Sequence, residues 1–507
     1  MKKTNRYYRY YKDFHDKLRH DWLDHISFKE EDESAISIQS LNELNADVIL
    51  IVNLLNECEL LSMTGAKLLN FDLNRFQFNQ DQLIITKCDI NQLRPDTFSL
   101  NLFASIQKLD LSSNEIKSLS ETLFNNLIHL NELNLSRNQL ETLNNNQFAK
   151  LINLESLDLS SNRLIQLNSN REAGSIFNGL EKLVRLDLNS NKLKHVNTNQ
   201  FFPLRSLRVL KLYNNQIKSI KRETFNGLND CLKYLDLSSN NLYTIDKKLF
   251  DNLKSLEELN LGRNHLISFK SNALDNLKHL KVLKLFMNQI DELENCQFQY
   301  LCHLVELDLS TNRIRKIKAN SFFGLFDLER LDLQGNQLQE LKSQRFTHLM
   351  SLKELDLKNN SIKELKSASF QGLSNLKCLD LRWNTLKKLN AKQFHHLENL
   401  CSLDLNRNQL SKLDAKCFVN LRKLKRLNLS SNLLRSLDRH QFEHLNQLEE
   451  IYLNHNQIEK LDIQTFRPLI SLKKLWLNNN QLMSKNLSEM SEILGNLHDV
   501  NIHGNLL

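Results

Sequence analysis

The chain has 507 residues, 41% hydrophobic and 25% charged, and its 67 basic and 59 acidic side chains leave a formal net charge of +8. That balance excludes a disordered chain, and a mild basic excess over this length does not call for a nucleic-acid partner. With only 3 prolines and 10 glycines, one continuous body is expected, and no window approaches the apolar length of a membrane-spanning helix.

Residues 1–45 stand outside any repeat. Tyr7, Tyr11, Phe14, Leu18 and Trp22 recur at three- to four-residue steps, which places them on one face of a helix. This segment reads as a cap over the first repeat or as a partner-binding helix. The basic start has no apolar run behind it, so no secretory signal peptide is expected, which favours a cytoplasmic protein. Lys29 to Ser34, KEEDES, reads as a solvated loop. Residues 46–82, with ADVILIVNLLNEC and LLNFDL, read as degenerate first repeats.

From Leu83 to Leu507 one unit recurs, with Leu304 to Leu328, LVELDLSTNRIRKIKANSFFGLFDL, as its clearest copy. The asparagine closing each unit returns mostly every 24 residues, as at Asn312, Asn336, Asn360, Asn384 and Asn408. Cys88 takes that place in the first unit, so about 18 units are expected. A step of 29 precedes Asn191, which predicts a protruding loop within NSNREAGSI. In LDL, at Leu307-Asp308-Leu309, alternation predicts a short strand with leucines inward and aspartate outward. Successive strands then stack in parallel. The asparagine follows where the chain bends, and its amide can satisfy backbone groups freed there. Some ten residues later comes a large apolar residue, usually phenylalanine, as at Phe322 and Phe346. It is expected to build a buried spine. Leu487 to Leu497 reads as a helix-like closing stretch.

The 8 cysteines are scattered and read as reduced thiols rather than disulfides or metal ligands. Cys296 and Cys302 are the one close pair. No GxGxxG, P-loop, HExxH or GxSxG motif is present, so no catalytic residue, cofactor or metal is assigned and no enzyme is expected. Asparagines in NxS context are Asn134, Asn359, Asn428 and Asn486.

The recurring LxxLxLxxNxLxxLxxxxFxxLxx resembles the typical 24-residue class of leucine-rich repeat, as found in Toll-like receptors, Slit-like proteins and small leucine-rich proteoglycans. The resemblance implies an α/β solenoid, a curved right-handed horseshoe with a parallel β-sheet on its concave face. It also implies a non-catalytic, adaptor- or receptor-like protein that binds a protein ligand there. The alternative is an extracellular matrix or cell-surface recognition protein, and extracellular is then the alternative location.

Departures from small or charged residues at the outward strand positions pick out candidate contacts. Val209, Tyr213, Tyr234, Arg263, Val282, Phe286 and Met287 form the first set, with Gly262 among them; Trp383, Tyr452 and Trp476 form a second. Both read either as partner-binding residues or as ordinary variation between repeats. Asp308, Asp332, Asp356, Asp380 and Asp404 form an acidic row, beside a basic edge that includes Arg315, Lys316, Lys318, Lys342 and Lys366. The row reads as a solvated face or as an attractor for a basic partner.

Overall fold

Each apolar–polar–apolar triplet extends into a three-residue strand whose middle leucine is buried and whose neighbours point outward. The computed structural model describes residues 26–28, 35–39, 60–64, 81–98, 101–167, 175–268, 273–483 and 497–506. It forms two compact units, Met1–Asn241 and Leu242–Leu507.

In the first unit, Ile26–Phe28 runs antiparallel to Ala35–Gln39, which pairs in parallel with Leu60–Thr64, itself parallel to Gln82–Thr86. The ladder continues through Lys108–Asp110, Glu132–Asn134, Ser156–Asp158, Arg185–Asp187, Val209–Lys211 and Tyr234–Asp236. In the second unit, eleven strands from Glu258–Asn260 to Asp499–Asn501 pair in parallel, one per repeat. Their register aligns Leu307, Leu331, Leu355 and Leu379.

The described residues begin differently from the sequence reading. Ile26–Phe28 and Ala35–Gln39 are strands inside the segment read as a helical cap, and the parallel ladder starts at Ala35, ahead of residues 46–82 that read as degenerate first repeats and that hold the strand Leu60–Thr64. AISIQ alternates apolar and polar side chains, the period of a strand. Tyr7 to Trp22, KEEDES and most of the stretch Leu487 to Leu497 lie outside the described residues, as do residues 168–174 of the long repeat.

The return legs contain no α-helix among the described residues. They are turns closed by i→i+3 bonds, such as Leu349 N–H to Phe346 O at 2.9 Å, with short 3-10 segments at Asn101–Ser105, Arg222–Phe225 and Ile463–Thr465. The spine phenylalanines stack within these legs. Ring centroids lie 6.1 Å apart for Phe124–Phe148, 5.9 Å for Phe322–Phe346 and 6.0 Å for Phe370–Phe394, all fully buried.

Within each unit the asparagine ladder runs from repeat to repeat. Asn384 donates from its amide to the carbonyls of Leu357 (3.0 Å), Leu381 (3.1 Å) and Arg382 (3.3 Å), and accepts the Ile362 N–H at 3.0 Å. Cys88 stands in for asparagine, its buried thiol donating to the carbonyls of Met63 and Thr86. The residue before each closing position turns left-handed; Met287 has φ 51°, Asn359 53° and Trp383 54°.

Two outcomes follow for stability. Asn384→Ala strands two or three buried carbonyls and one N–H, so it should cost about 2–4 kcal/mol; Asn384→Cys should recover part of that, as Cys88 does. Phe394→Ala should cost about 3–5 kcal/mol, and Phe394→Leu less than half as much. Urea unfolding followed by circular dichroism reads both series.

Candidate binding face

The strand face carries two outward residues per strand and one more where the strand ends. At the second of these positions an aspartate closes the strand locally. The Asp308, Asp332, Asp356 and Asp380 carboxylates accept the backbone N–H two residues on, at 2.8–2.9 Å. Asn134, Asn260 and Asn428 make the same bond at 3.0–3.1 Å.

The first candidate set divides between the two units. In the first unit, Val209 and Tyr234 are register partners on adjacent strands, and Tyr213 follows on the same turn as Val209. All three are half-buried. The Tyr234 hydroxyl donates to Asp236 at 3.1 Å. Burial, and then the carboxylates of Asp187, Asp236 and Asp158, hold the Tyr213 hydroxyl above its ordinary pKa. In the second unit, Phe286 lies across Gly262. A Cβ on that glycine would meet the Phe286 ring at 2.3 Å, so the glycine is the floor for the ring. Val282 is half-buried, Met287 is 42% exposed, and Arg263 is exposed with a left-handed backbone.

Of the second set, the structure brings together two members. Tyr452 and Trp476 are register partners, edge to face at 5.1 Å. Tyr452 is nearly buried, bonded to Glu450 at 2.8 Å, with the Arg426 guanidinium over its ring at 5.1 Å. Trp383 stands three strands away in the left-handed position before Asn384, 48% exposed, with Arg407 stacked on it at 4.1 Å.

The acidic row forms as expected on consecutive strands of the second unit. A shallow depression of about 350 Å³ opens there, with Asp356, Asp380, Arg382, Asp404 and Arg426 in its lining. Burial, with Asp356, Asp308 and Asp380 as neighbouring charges, raises the Asp332 carboxyl to about 6, against the opposing Gln334 N–H. Burial raises Asp356 and Asp404 as well. Two arginines sit across pairs of acids. Arg382 grips Asp380 and reaches Asp404 at 3.7 Å, and Arg330 lies 3.7 Å from both Glu306 and Glu354. The basic edge is largely paired: Lys316 and Lys318 with Glu292, Lys342 with Glu340, and Lys366 with Glu364.

Sequence reading missed these arginine bridges, whose partners on neighbouring strands lie 22 to 24 residues away in sequence. It also missed an aromatic cluster on the return legs, where exposed Phe323 meets Phe326 and His348 edge to face. The signal was the doubled FFGLF, read only for its spine residue. Among the described residues no cysteine forms a disulfide, Cys296 and Cys302 included. Among the described residues, no cluster of three or more histidine, cysteine or acidic side chains could hold a metal ion, and no helix is long and apolar enough to cross a membrane.

The repeat in this chain matches the leucine rich repeat family over residues 104–164, 173–217, 205–266, 231–290, 278–338, 327–386, 350–410, 375–434, 399–458 and 422–482. No curated protein matches it. Among solved structures, Toll from the Drosophila Toll–Spatzle complex superposes with a TM-score of 0.74 at 20% identity, over 95% of this chain and 62% of that one. The chain thus spans less than two thirds of that relative's length. YopM from Yersinia enterocolitica gives 0.60 at 21% identity, over 99% and 96% of the two chains. A leucine-rich repeat protein of Leptospira interrogans gives 0.56 at 24%, over 91% and 93%. These likenesses establish the fold alone, and nothing in them supports the cytoplasmic expectation. With the family repeat running through well over half of its length, the chain belongs to the leucine-rich repeat proteins.

Proposed function

We propose that the chain is a non-catalytic binding protein that holds a protein partner on the exposed face of its parallel strands. The observation that carries this reading is the group Val209, Tyr213 and Tyr234. Val209 and Tyr234 are register partners at outward positions of adjacent strands, Tyr213 follows where the Val209 strand ends, and all three remain half-exposed while the leucines behind them are fully buried. Tyrosines of this kind offer contact area at low entropic cost. The half-buried Phe286 and exposed Met287 give the second unit a contact group of its own. One structural relative, Toll, is described in complex with Spatzle, which accords with a receptor-like role.

Affinity capture with the full chain, followed by mass spectrometry, identifies the partner. The double substitution Tyr213→Ala and Tyr234→Ala should then weaken that partner at least about tenfold, or about 1.4 kcal/mol, with the circular dichroism spectrum unchanged. Unchanged affinity would remove these residues from the contact.

A second reading, as a secreted or cell-surface recognition protein, is favoured by Asn359. It is exposed within Asn359-Asn360-Ser361. The other sequons on the strand face are engaged: Asn428 bonds to Asp404 and Ser430, and Asn134 accepts the Ser136 N–H. Expression through a eukaryotic secretory route should add a glycosidase-sensitive mass that Asn359→Gln removes. A mass shift that survives Asn359→Gln would place any glycan elsewhere.

A further inference from the structure

The strand face of the second unit carries more negative charge than its own cations balance. Over the five strands from Glu306–Asp308 to Ser402–Asp404, the carboxylates at the outward positions are Glu306, Asp308, Asp332, Glu354, Asp356, Asp380 and Asp404. Three cations, Arg330, Lys358 and Arg382, share that surface. The chain as a whole has the opposite sign, at +8.

The face already displays how it accommodates a guanidinium. Arg382 is held by Asp380 and Asp404, acids on adjacent strands. Arg330 lies between Glu306 and Glu354 on the strands either side of its own. Asp332 and Asp356 are likewise register partners. They stand about 5 Å apart by strand spacing, yet neither has a cation within ion-pair distance among the described residues. Asp356 also lines the depression. Two like charges at that separation repel in a half-buried setting, and a planar guanidinium bridging both would neutralise them with directed hydrogen bonds.

We propose that the Asp332–Asp356 pair is the seat for an arginine side chain of the protein partner, held as Arg382 is held by Asp380 and Asp404. This inference rests on the strand face being the protein-binding surface and names what that surface selects. The groups around the seat are Glu306 and Asp308 on one neighbouring strand, Asp380 and Arg382 on the repeat at the other side, Arg330 beside Asp332, and Glu354 and Lys358 beside Asp356; Arg382 and Lys358 offset part of the Asp356 charge without pairing with it. Occupation by a guanidinium favours the ionised carboxylates. Because the Asp332 carboxyl titrates near 6, binding should strengthen as pH rises through that value and weaken below it.

The test uses the full chain and fluorescein-labelled hexa-arginine, hexa-lysine and hexa-glutamine peptides, read by fluorescence anisotropy at fixed ionic strength. Asp332→Asn with Asp356→Asn should weaken hexa-arginine about tenfold or more. Glu398→Gln with Glu459→Gln removes the same charge from exposed positions off the face and should change it less than about twofold. The wild-type chain should bind more tightly at pH 7.5 than at pH 5.5, and the double asparagine variant should lose that dependence. Asparagine already accepts the equivalent N–H at Asn260 and Asn428, so the variant keeps the strand closure; its melting temperature checks this. Equal loss in both double variants, or equal binding of hexa-lysine, would overturn the arginine seat. Equal binding of hexa-glutamine would overturn it too, while leaving the strand face as a protein-binding surface. If the captured partner still depends on Tyr213 and Tyr234 while no peptide binds, the seat falls and the binding reading stands.

Discussion

The fold depends on the amide of one asparagine per repeat. The chain must leave the strand and double back, and that bend strips hydrogen bonds from backbone groups that are then buried. A single carboxamide repairs the bend on both sides. Asn384 binds the carbonyl of its own strand at Leu381 and that of the preceding repeat at Leu357, and accepts the Ile362 N–H between them. Each ladder residue thereby closes its own turn and fastens it to its neighbour, as expected of a solenoid whose units are stable only in company. The long repeat makes the point sharply. Asn191 still reaches the Leu159 carbonyl and the Leu164 N–H, although its sequence separations are 32 and 27 rather than 27 and 22. The five extra residues leave the ladder intact.

Because the ladder, the leucines and the phenylalanine spine take up the inward positions, the outward side chains are bound to the fold chiefly by the local hydrogen bond that closes each strand. That separation explains what was legible in the sequence. Leu307, Leu309, Asn312 and Phe322 recur at a fixed period because burial and backbone satisfaction allow few alternatives, and each takes the place its spacing implied. The left-handed residue before each asparagine was invisible, since serine, arginine, methionine and tryptophan all occupy it. What they share is a backbone geometry whose N–H bonds to the next repeat, as Met287 does to Ser310.

The face was only partly legible for a related reason. Many of its contacts run across strands, between residues 22 to 24 apart, and no local pattern encodes those. Gly262, named only as a member of the first set, is the floor on which Phe286 rests. Tyr452, read as an exposed aromatic, is instead packed between Trp476, Arg426 and Glu450. Trp383, placed with it by residue type, belongs to a different position of the turn. At the start of the chain, a helical expectation extended over residues 1–45 and concealed the strand period of AISIQ.

The acidic row sharpens this division between scaffold and face. Each aspartate has a local task, accepting an N–H as its strand ends, and that task explains an oxygen acceptor at the position. It does not explain the charge. Asn134, Asn260 and Asn428 perform the same task with a neutral amide at similar distances. Five consecutive carboxylates half-removed from water repel one another, and the cost is visible in the raised proton affinity of Asp332. Elsewhere on the face, arginines from the chain itself sit across such pairs. The negative charge at Asp332 and Asp356, offset in part by Arg382 and Lys358 near Asp356, is more than strand closure requires, and the proposed partner arginine would complete the pair.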